Sequence, residues 1–327
     1  MATADQIKAL LKSQADGDNE RFYATALQVA AHAARQGHGN LAQELRALVD
    51  AARAIPPVTR IPSAPALVAQ PRGELAGILA ASYPRVRFAE MVLDDVARRQ
   101  LDRVLREQRK ADRLREHGLR PRNRVLLVGP PGSGKTMTAS ALAGELQLPL
   151  LTVQFDGLIT KFMGETAAKL RMVFDAIEKT RGVYLFDEFD AIGGRRTAGN
   201  DVGEIRRVLN SFLQLLEQEQ STSVIVAATN HPELLDGALF RRFDDVVTYG
   251  LPDASMVERV VRRRLGAFEL GGVGWMAVTE AAVGLSCAEV VGACDDVAKG
   301  AVLDEREHVG AEELVEALRE RSTKARV

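Results

Sequence analysis

The sequence predicts an α/β chain in which a mostly parallel sheet is covered on both faces by helices, with all-helical segments at either end. Three observations predict it. Short apolar runs of β-type residues alternate with helical segments through the middle of the chain, and parallel strands buried on both faces read as continuous apolar runs. The first of those runs breaks into a glycine-rich turn that opens a helix. From Asp253 onward, and again over the first 54 residues, the periodicity is wholly helical. A length of 327 residues suits two or three domains, and 46% hydrophobic content can build a sizeable core. The expected division is a three-helix bundle over 1–54, a linker over 55–75, the large α/β domain over 76–250 and a helical lid over 251–327.

Composition excludes several broad classes. The 43 basic and 44 acidic residues leave a net charge of -1, so global electrostatics favour neither nucleic acid nor an acidic membrane. No apolar run approaches the roughly 20 residues of a membrane span. Met1 to Gln6 lacks the charged start and apolar middle of a signal peptide, and a cytoplasmic protein is expected. Cys287 and Cys294 lie seven apart in a helical pattern, roughly 10 Å along the axis, which rules out a bridge and leaves two packing thiols.

In the first helical segment Ile7, Leu10 and Leu11 form one stripe, Phe22, Ala26, Val29, Ala30 and Ala33 a second, and Leu41, Leu45, Leu48 and Val49 a third. Helices this short must pack on each other or on a partner, and a recruiting module is expected. Between Ile55 and Arg72 five of the chain's 12 prolines, Pro56, Pro57, Pro62, Pro65 and Pro71, mark a semi-extended linker. A helix is expected from Asp94 to Gly118, with Ala97, Leu101, Val104, Leu105, Ala111 and Leu114 facing inward. Eleven basic residues stand against four acidic ones between Arg98 and Arg124. Without interleaved aromatics to stack on bases, this stripe reads as a solvated helix face, and nucleic acid is not expected as a partner.

The run Val125 to Val128 leads directly into Gly129-Pro130-Pro131-Gly132-Ser133-Gly134-Lys135-Thr136, the spacing G-x-x-x-x-G-K-T of a phosphate-binding P-loop. A nucleoside triphosphate needs several backbone N–H groups aimed at its phosphates, and only glycine-rich backbone curls closely enough to supply them. Lys135 sets a cation on the β- and γ-phosphates, Thr136 offers a hydroxyl to Mg²⁺, and the helix that begins there and continues through Met137 adds its positive end. A second apolar run, Val183 to Phe186, delivers Asp187 and Glu188 at its carboxyl end. Asp187 is placed to share the Mg²⁺ shell with Thr136, and Glu188 to orient the attacking water, since hydrolysis of a triphosphate depends on positioning and charge stabilisation.

A third run, Val224 to Ala228, ends in Thr229-Asn230, and here the chain resembles the AAA ATPases. The resemblance implies ATP and Mg²⁺ as cofactors and gives Asn230 a place between the acidic residues and the γ-phosphate. It strengthens at Leu235 to Asp244, similar to the family's second region of homology, where residues matching Arg241 and Arg242 reach the γ-phosphate held by a neighbouring subunit. A structural use of the same pair would be ion pairing with Asp244 and Asp245. Lys161-Phe162-Met163-Gly164 resembles the first pore loop, with Phe162 gripping extended polypeptide, against the alternative of a buried loop anchor. Arg195, Arg196 and the segment Thr197 to Gly203 fall where a second pore loop would lie. Gly284-Leu285-Ser286-Cys287-Ala288-Glu289 resembles the lid motif of the family with Leu285, Cys287 and Glu289 as departures, which implies packing of Ala288 on the base side and no charged sensor from that helix.

The resemblance covers Leu93 to the end and is closest to compact bacterial stand-alone members, some of which act beside a separate serine protease in phage defence. It implies a homo-oligomer, by family habit a hexamer, that hydrolyses ATP to remodel, unfold or translocate a protein client. Two other classes stay open: an ATPase acting on nucleic acid through the basic stripe, and a nucleotide-gated scaffold that signals to a partner.

Overall fold

The structure is a computed structural model that describes residues 71–158, 163–189, 202–235 and 237–325, together with Gln43. The chain divides into two units, Met1–Leu67 and Val68–Val327, and the sheet with its helices belongs to the second. The three expected N-terminal helices and most of the proline-rich linker lie outside the described residues.

Six strands form one sheet: β1 (Leu79–Ser82), β2 (Arg124–Val128), β3 (Leu150–Val153), β4 (Val183–Phe186), β5 (Val224–Thr229) and β6 (Asp245–Thr248), in the order β1-β3-β4-β5-β2-β6. All neighbours are parallel except β1 and β3. The helices are α1 (Asp95–Arg109), α2 (Ala111–Glu116), α3 (Lys135–Leu146), α4 (Phe155–Leu158), α5 (Met163–Lys179), α6 (Val202–Gln218) and α7 (Gly237–Phe240). After β6 come only helices: α8 (Ala254–Arg264), α9 (Trp275–Ala281), α10 (Cys287–Leu303) and α11 (Ala311–Ala325).

Alternate residues of the central strands feed two cores, as burial on both faces requires. Val125, Leu127, Val183, Leu185, Val224 and Val226 pack with Leu101 and Val104 of α1 and Leu142 of α3. Leu126, Val128, Tyr184, Phe186, Ile225 and Ala227 face the other way, against Phe174 of α5 and Phe212 of α6, where Phe186 and Phe212 meet edge to face at 5.0 Å between centroids. The third core is the lid's own: Val257, Val261, Val278, Val290, Cys294, Leu314 and Leu318 interlock α8 to α11.

One expectation shifts. The helix expected from Asp94 to Gly118 begins where its cap predicts, with Asp94 Oδ1 accepting from the N–H groups of Val96 and Ala97 at 2.8 Å, but it breaks at Lys110 into α1 and α2. Glu107 holds that break, because it accepts from both the backbone N–H and the guanidinium of Arg122 and so ties the end of α1 to the returning chain. β3 stops at Val153, and Phe155 opens α4. β1 answers to no apolar run, since Leu79-Ala80-Ala81-Ser82 is a short edge strand that buries only Leu79. At the opposite edge α1 lies along β6, and Gln100 Nε2 donates to Val246 O at 3.0 Å and to Asp245 Oδ1 at 2.8 Å.

Candidate functional site

The P-loop, Asp187, Glu188 and Asn230 gather at the carboxyl ends of three adjacent strands. The sheet order β4-β5-β2 sets Asp187 and Glu188, Asn230, and the P-loop side by side, with Phe186 opposite Ala227 and Val128 opposite Thr229 in the register. Gly132 and Gly134 adopt the left-handed backbone (φ 72° and 100°) that the turn from β2 into α3 requires. Within it Lys135 is 93% buried by its own loop, its Nζ donating to Gly129 O at 2.7 Å and Pro130 O at 2.8 Å. These carbonyls hold the ammonium in the curl of the loop, so phosphate oxygens arriving there exchange one set of acceptors for another.

Thr136 and Asp187 stand 51 residues apart, yet Thr136 Oγ1 donates to Asp187 Oδ2 at 2.6 Å. A hydroxyl and a carboxylate oxygen in contact are hard ligands suited to Mg²⁺. Among the described residues no three His, Cys, Asp or Glu side chains converge, and a cation held by this pair would need further ligands from phosphate or water, as Mg²⁺ commonly takes them.

Glu188 is exposed and sits at φ 52°, a backbone region that a non-glycine residue seldom occupies. Both neighbours hold it there. Its own N–H donates to Asp187 Oδ1 at 3.0 Å, and the next N–H, of Phe189, donates to Ala228 O of β5 at 2.8 Å while the Phe189 ring is fully buried against Phe212. The strain turns the carboxylate out of the strand's alternation toward solvent at the head of the sheet.

Arg241 and Arg242 lie just before β6, at the amino end of the sheet. Asp244 there accepts from the N–H groups of Asn123 and Arg124 at 2.9 and 3.0 Å, and β6 then runs parallel to β2 with Val128 opposite Thr248. Asp244 and Asp245 are occupied by groups other than this arginine pair, Asp245 by Gln100 and Arg103. Arg242 pairs with Glu217 at the end of α6, whereas Arg241 is exposed with no ion pair among the described residues.

On the lid side, Ser286 caps α10 and forms a reciprocal box with Glu289. The helix start docks on the P-loop: Ala288 N donates to Gly132 O at 3.0 Å, and a Cβ on Gly132 would come within 2.6 Å of Ser286 Oγ and 2.9 Å of Ala288 Cβ. Sequence reasoning treated Gly132 as a phosphate-loop glycine and missed this second role. Tyr249, also missed, lies beneath the loop, its hydroxyl 2.7 Å from Thr138 Oγ1 and pushed far above the usual phenol range by burial. A cleft of about 460 Å³ opens between lid and P-loop, with Met137, Cys287 and Arg263 among its walls.

Lys161 and Phe162 lie outside the described residues, as do Arg195 and Arg196. Met163 and Gly164 start α5. In the basic stripe, Arg98, Arg103, Arg109, Arg115 and Arg122 pair with Asp102, Asp245, Glu145, Asp112 and Glu107, while Arg124 donates to Glu219 O at 2.9 Å. Much of the apparent excess charge is thus consumed within the fold.

Residues 125–251, from β2 to just past β6, match the family model described as ATPase family associated with various cellular activities, AAA. An uncharacterized AAA family ATPase of Sinorhizobium fredii is 34% identical over 325 residues, covering 98% of this chain and 96% of that one. The chain is an AAA ATPase. Its reaction is the hydrolysis of ATP, and its α/β P-loop core is the one expected. Similarity also reaches the proteasome-activating nucleotidase of Thermococcus onnurineus, 35% identical over 234 residues, and the ATP-dependent zinc metalloprotease FtsH of Helicobacter pylori, 31% identical over 256 residues. This AAA ATPase covers 58% and 40% of those two proteins' lengths. Among its described residues no helix is long and apolar enough to cross a membrane.

Proposed function

We propose that this AAA ATPase works as a homo-oligomeric ring, a hexamer by family habit, that couples ATP hydrolysis at shared subunit boundaries to the remodelling or translocation of protein. Lys135 and the loop N–H groups bind the phosphates, Thr136 and Asp187 hold Mg²⁺, Glu188 orients the water, and Asn230 bridges the acidic pair and the γ-phosphate. Mg²⁺, when bound, neutralises charge on the β- and γ-oxygens. Arg241 is offered to the neighbouring copy, and Arg242 is braced against Glu217 beside it.

The observation that carries the shared site is the position of Arg241. β6 rises about 10 Å from Asp245 to Thr248 at roughly 3.3 Å per residue. Arg241 precedes the start of that strand, while the P-loop follows the carboxyl end of its parallel neighbour β2. An arginine at one end of the sheet serves a phosphate at the other end of a different copy more readily than its own. Protein as the client is supported by the relatives named for acting with a proteasome or as a protease. Phe162 and Met163 are the residues proposed to grip it, and a separately encoded serine protease, as in phage defence, is one partner of the kind expected.

Mixing separately inactive Arg241→Ala and Lys135→Ala subunits tests the shared site. Partial return of turnover at intermediate ratios is expected, and none at any ratio would overturn it. Phe162→Ala should abolish client processing with basal turnover intact, and unchanged processing would move weight to the nucleotide-gated scaffold. Partners retained by the Glu188→Gln protein with ATP identify the client.

A further inference from the structure

Helix α8 ends in three consecutive arginines, and each meets a different fate because neighbouring positions on a helix point about 100° apart. Arg262 pairs with Glu258 at 2.7 Å and stacks over the Trp275 ring, 4.3 Å from its centroid. Arg264 engages Asp295 of α10 through two hydrogen bonds, so its planar fork is taken. Arg263 is exposed and has no ion-pair partner among the described residues. It lines the cleft that also contains Ser133 and Gly134 of the P-loop.

The rest of that cleft decides what a free guanidinium there can meet. Met91, Val92, Met137, Val260 and Val291 contribute apolar walls, and Met137 is 41% exposed, a large hydrophobic side chain left facing open space. Glu90 is, among the described residues, the one carboxylate in the lining, and it accepts from Arg87 N at 2.9 Å. With the phosphates cradled at Gly134 and Lys135, such a slot accepts the base end of a nucleotide rather than its charged end. A planar cation beside an apolar slot favours an aromatic face.

We infer that Arg263 is a base-binding residue contributed by the lid, its guanidinium stacking on the purine of the bound nucleotide. This rests on the reading that the triphosphate occupies the P-loop through Lys135. The contact is made to the base, which ATP and ADP share, so Arg263 sets affinity for both nucleotides.

Calorimetric titration of the full chain with ATP and ADP, in the Glu188→Gln background to prevent hydrolysis, tests this. Arg263→Ala should weaken both nucleotides by the same factor, on the order of 10-fold, the range of a desolvated cation–aromatic contact. Arg263→Lys should recover only part of the loss, because an ammonium can still sit over an aromatic face but lacks the plane that stacks on it. The preference for ATP over CTP should narrow in both variants, since a pyrimidine offers less surface to stack. A loss confined to ATP and restored by lysine would assign Arg263 to the phosphates and overturn the inference, as would unchanged affinities in variants with wild-type melting temperature. Lys135→Ala separates the two readings. If it binds nucleotide as tightly as the parent, the P-loop reading itself fails. If it loses binding while the Arg263 variants do not, only the base contact fails.

Discussion

On one wall of the nucleotide cleft the groups that face the ligand are backbone, held by glycines and by a lysine folded onto its own carbonyls. On the other they are side chains of α8 and α10, set by a capping box and an interhelical ion pair. The two walls meet where Ala288 N donates to Gly132 O, and the lid is tied on again where Arg259 donates to Leu93 O at 3.1 Å. The first wall can bind a phosphate with little rearrangement. The second sits on helices interlocked by a core of their own. On the proposed reading, chemistry belongs to the sheet wall and the base end of the nucleotide to the lid wall.

The largest effects should come from the sheet wall. Lys135→Ala and Glu188→Gln should each cut ATP turnover by about 10²–10³-fold, as removal of a transition-state contact does. Only Glu188→Gln should retain tight ATP binding in equilibrium titrations; equal loss of binding in both would blur the division of labour. Next is the point of contact. Gly132→Ala combines a left-handed backbone with a clash against Ser286 and Ala288, and should cost about 2–4 kcal/mol in denaturant titration. Gly118→Ala, with φ 71° and open space around it, should cost only about 1 kcal/mol, which isolates the lid contact from the backbone term.

Smaller again is the lid's own anchoring: Ser286→Ala removes the cap of α10 and should lower stability by about 1 kcal/mol. The smallest effect concerns two thiols on that helix. Burial pushes Cys294 up to about 12 and raises Cys287 as well, so neither is a ready thiolate at neutral pH. Cys287 lines the cleft while Cys294 is fully buried. Peptide mass analysis after slow alkylation should find Cys287 labelled first and protected by ATP.

Legibility in the sequence divides along the same line. Gly132, Gly134, Lys135, Thr136, Asp187 and Glu188 could be found from sequence because phosphate chemistry demands particular residue types at particular distances from an apolar strand. The contact of Thr136 with Asp187 was foreseeable, because both are expected as ligands of one cation. Arg263 was not, because three arginines at a helix end look like a solvated terminus until Trp275 and Asp295 are seen to occupy its neighbours. Nor was Gly132's second role, since the residues it meets lie more than 150 positions away. β1 escaped because a four-residue edge strand with one buried side chain carries almost no pattern, and the break at Lys110 because a turn fixed by Glu107 and Arg122 leaves the helical periodicity on either side intact.

The hydrogen bonds from Gln100 to Val246 and Asp245 carry one more consequence. A parallel sheet that ends in an unprotected strand is a template onto which another chain can zip, and such growth has no natural end. Here a glutamine from α1 occupies a carbonyl that a docking strand would need. In the proposed ring, copies of this chain are thereby steered away from joining sheet to sheet at β6, and toward contacts made by side chains, which can close, open and exchange without any strand having to be peeled from another.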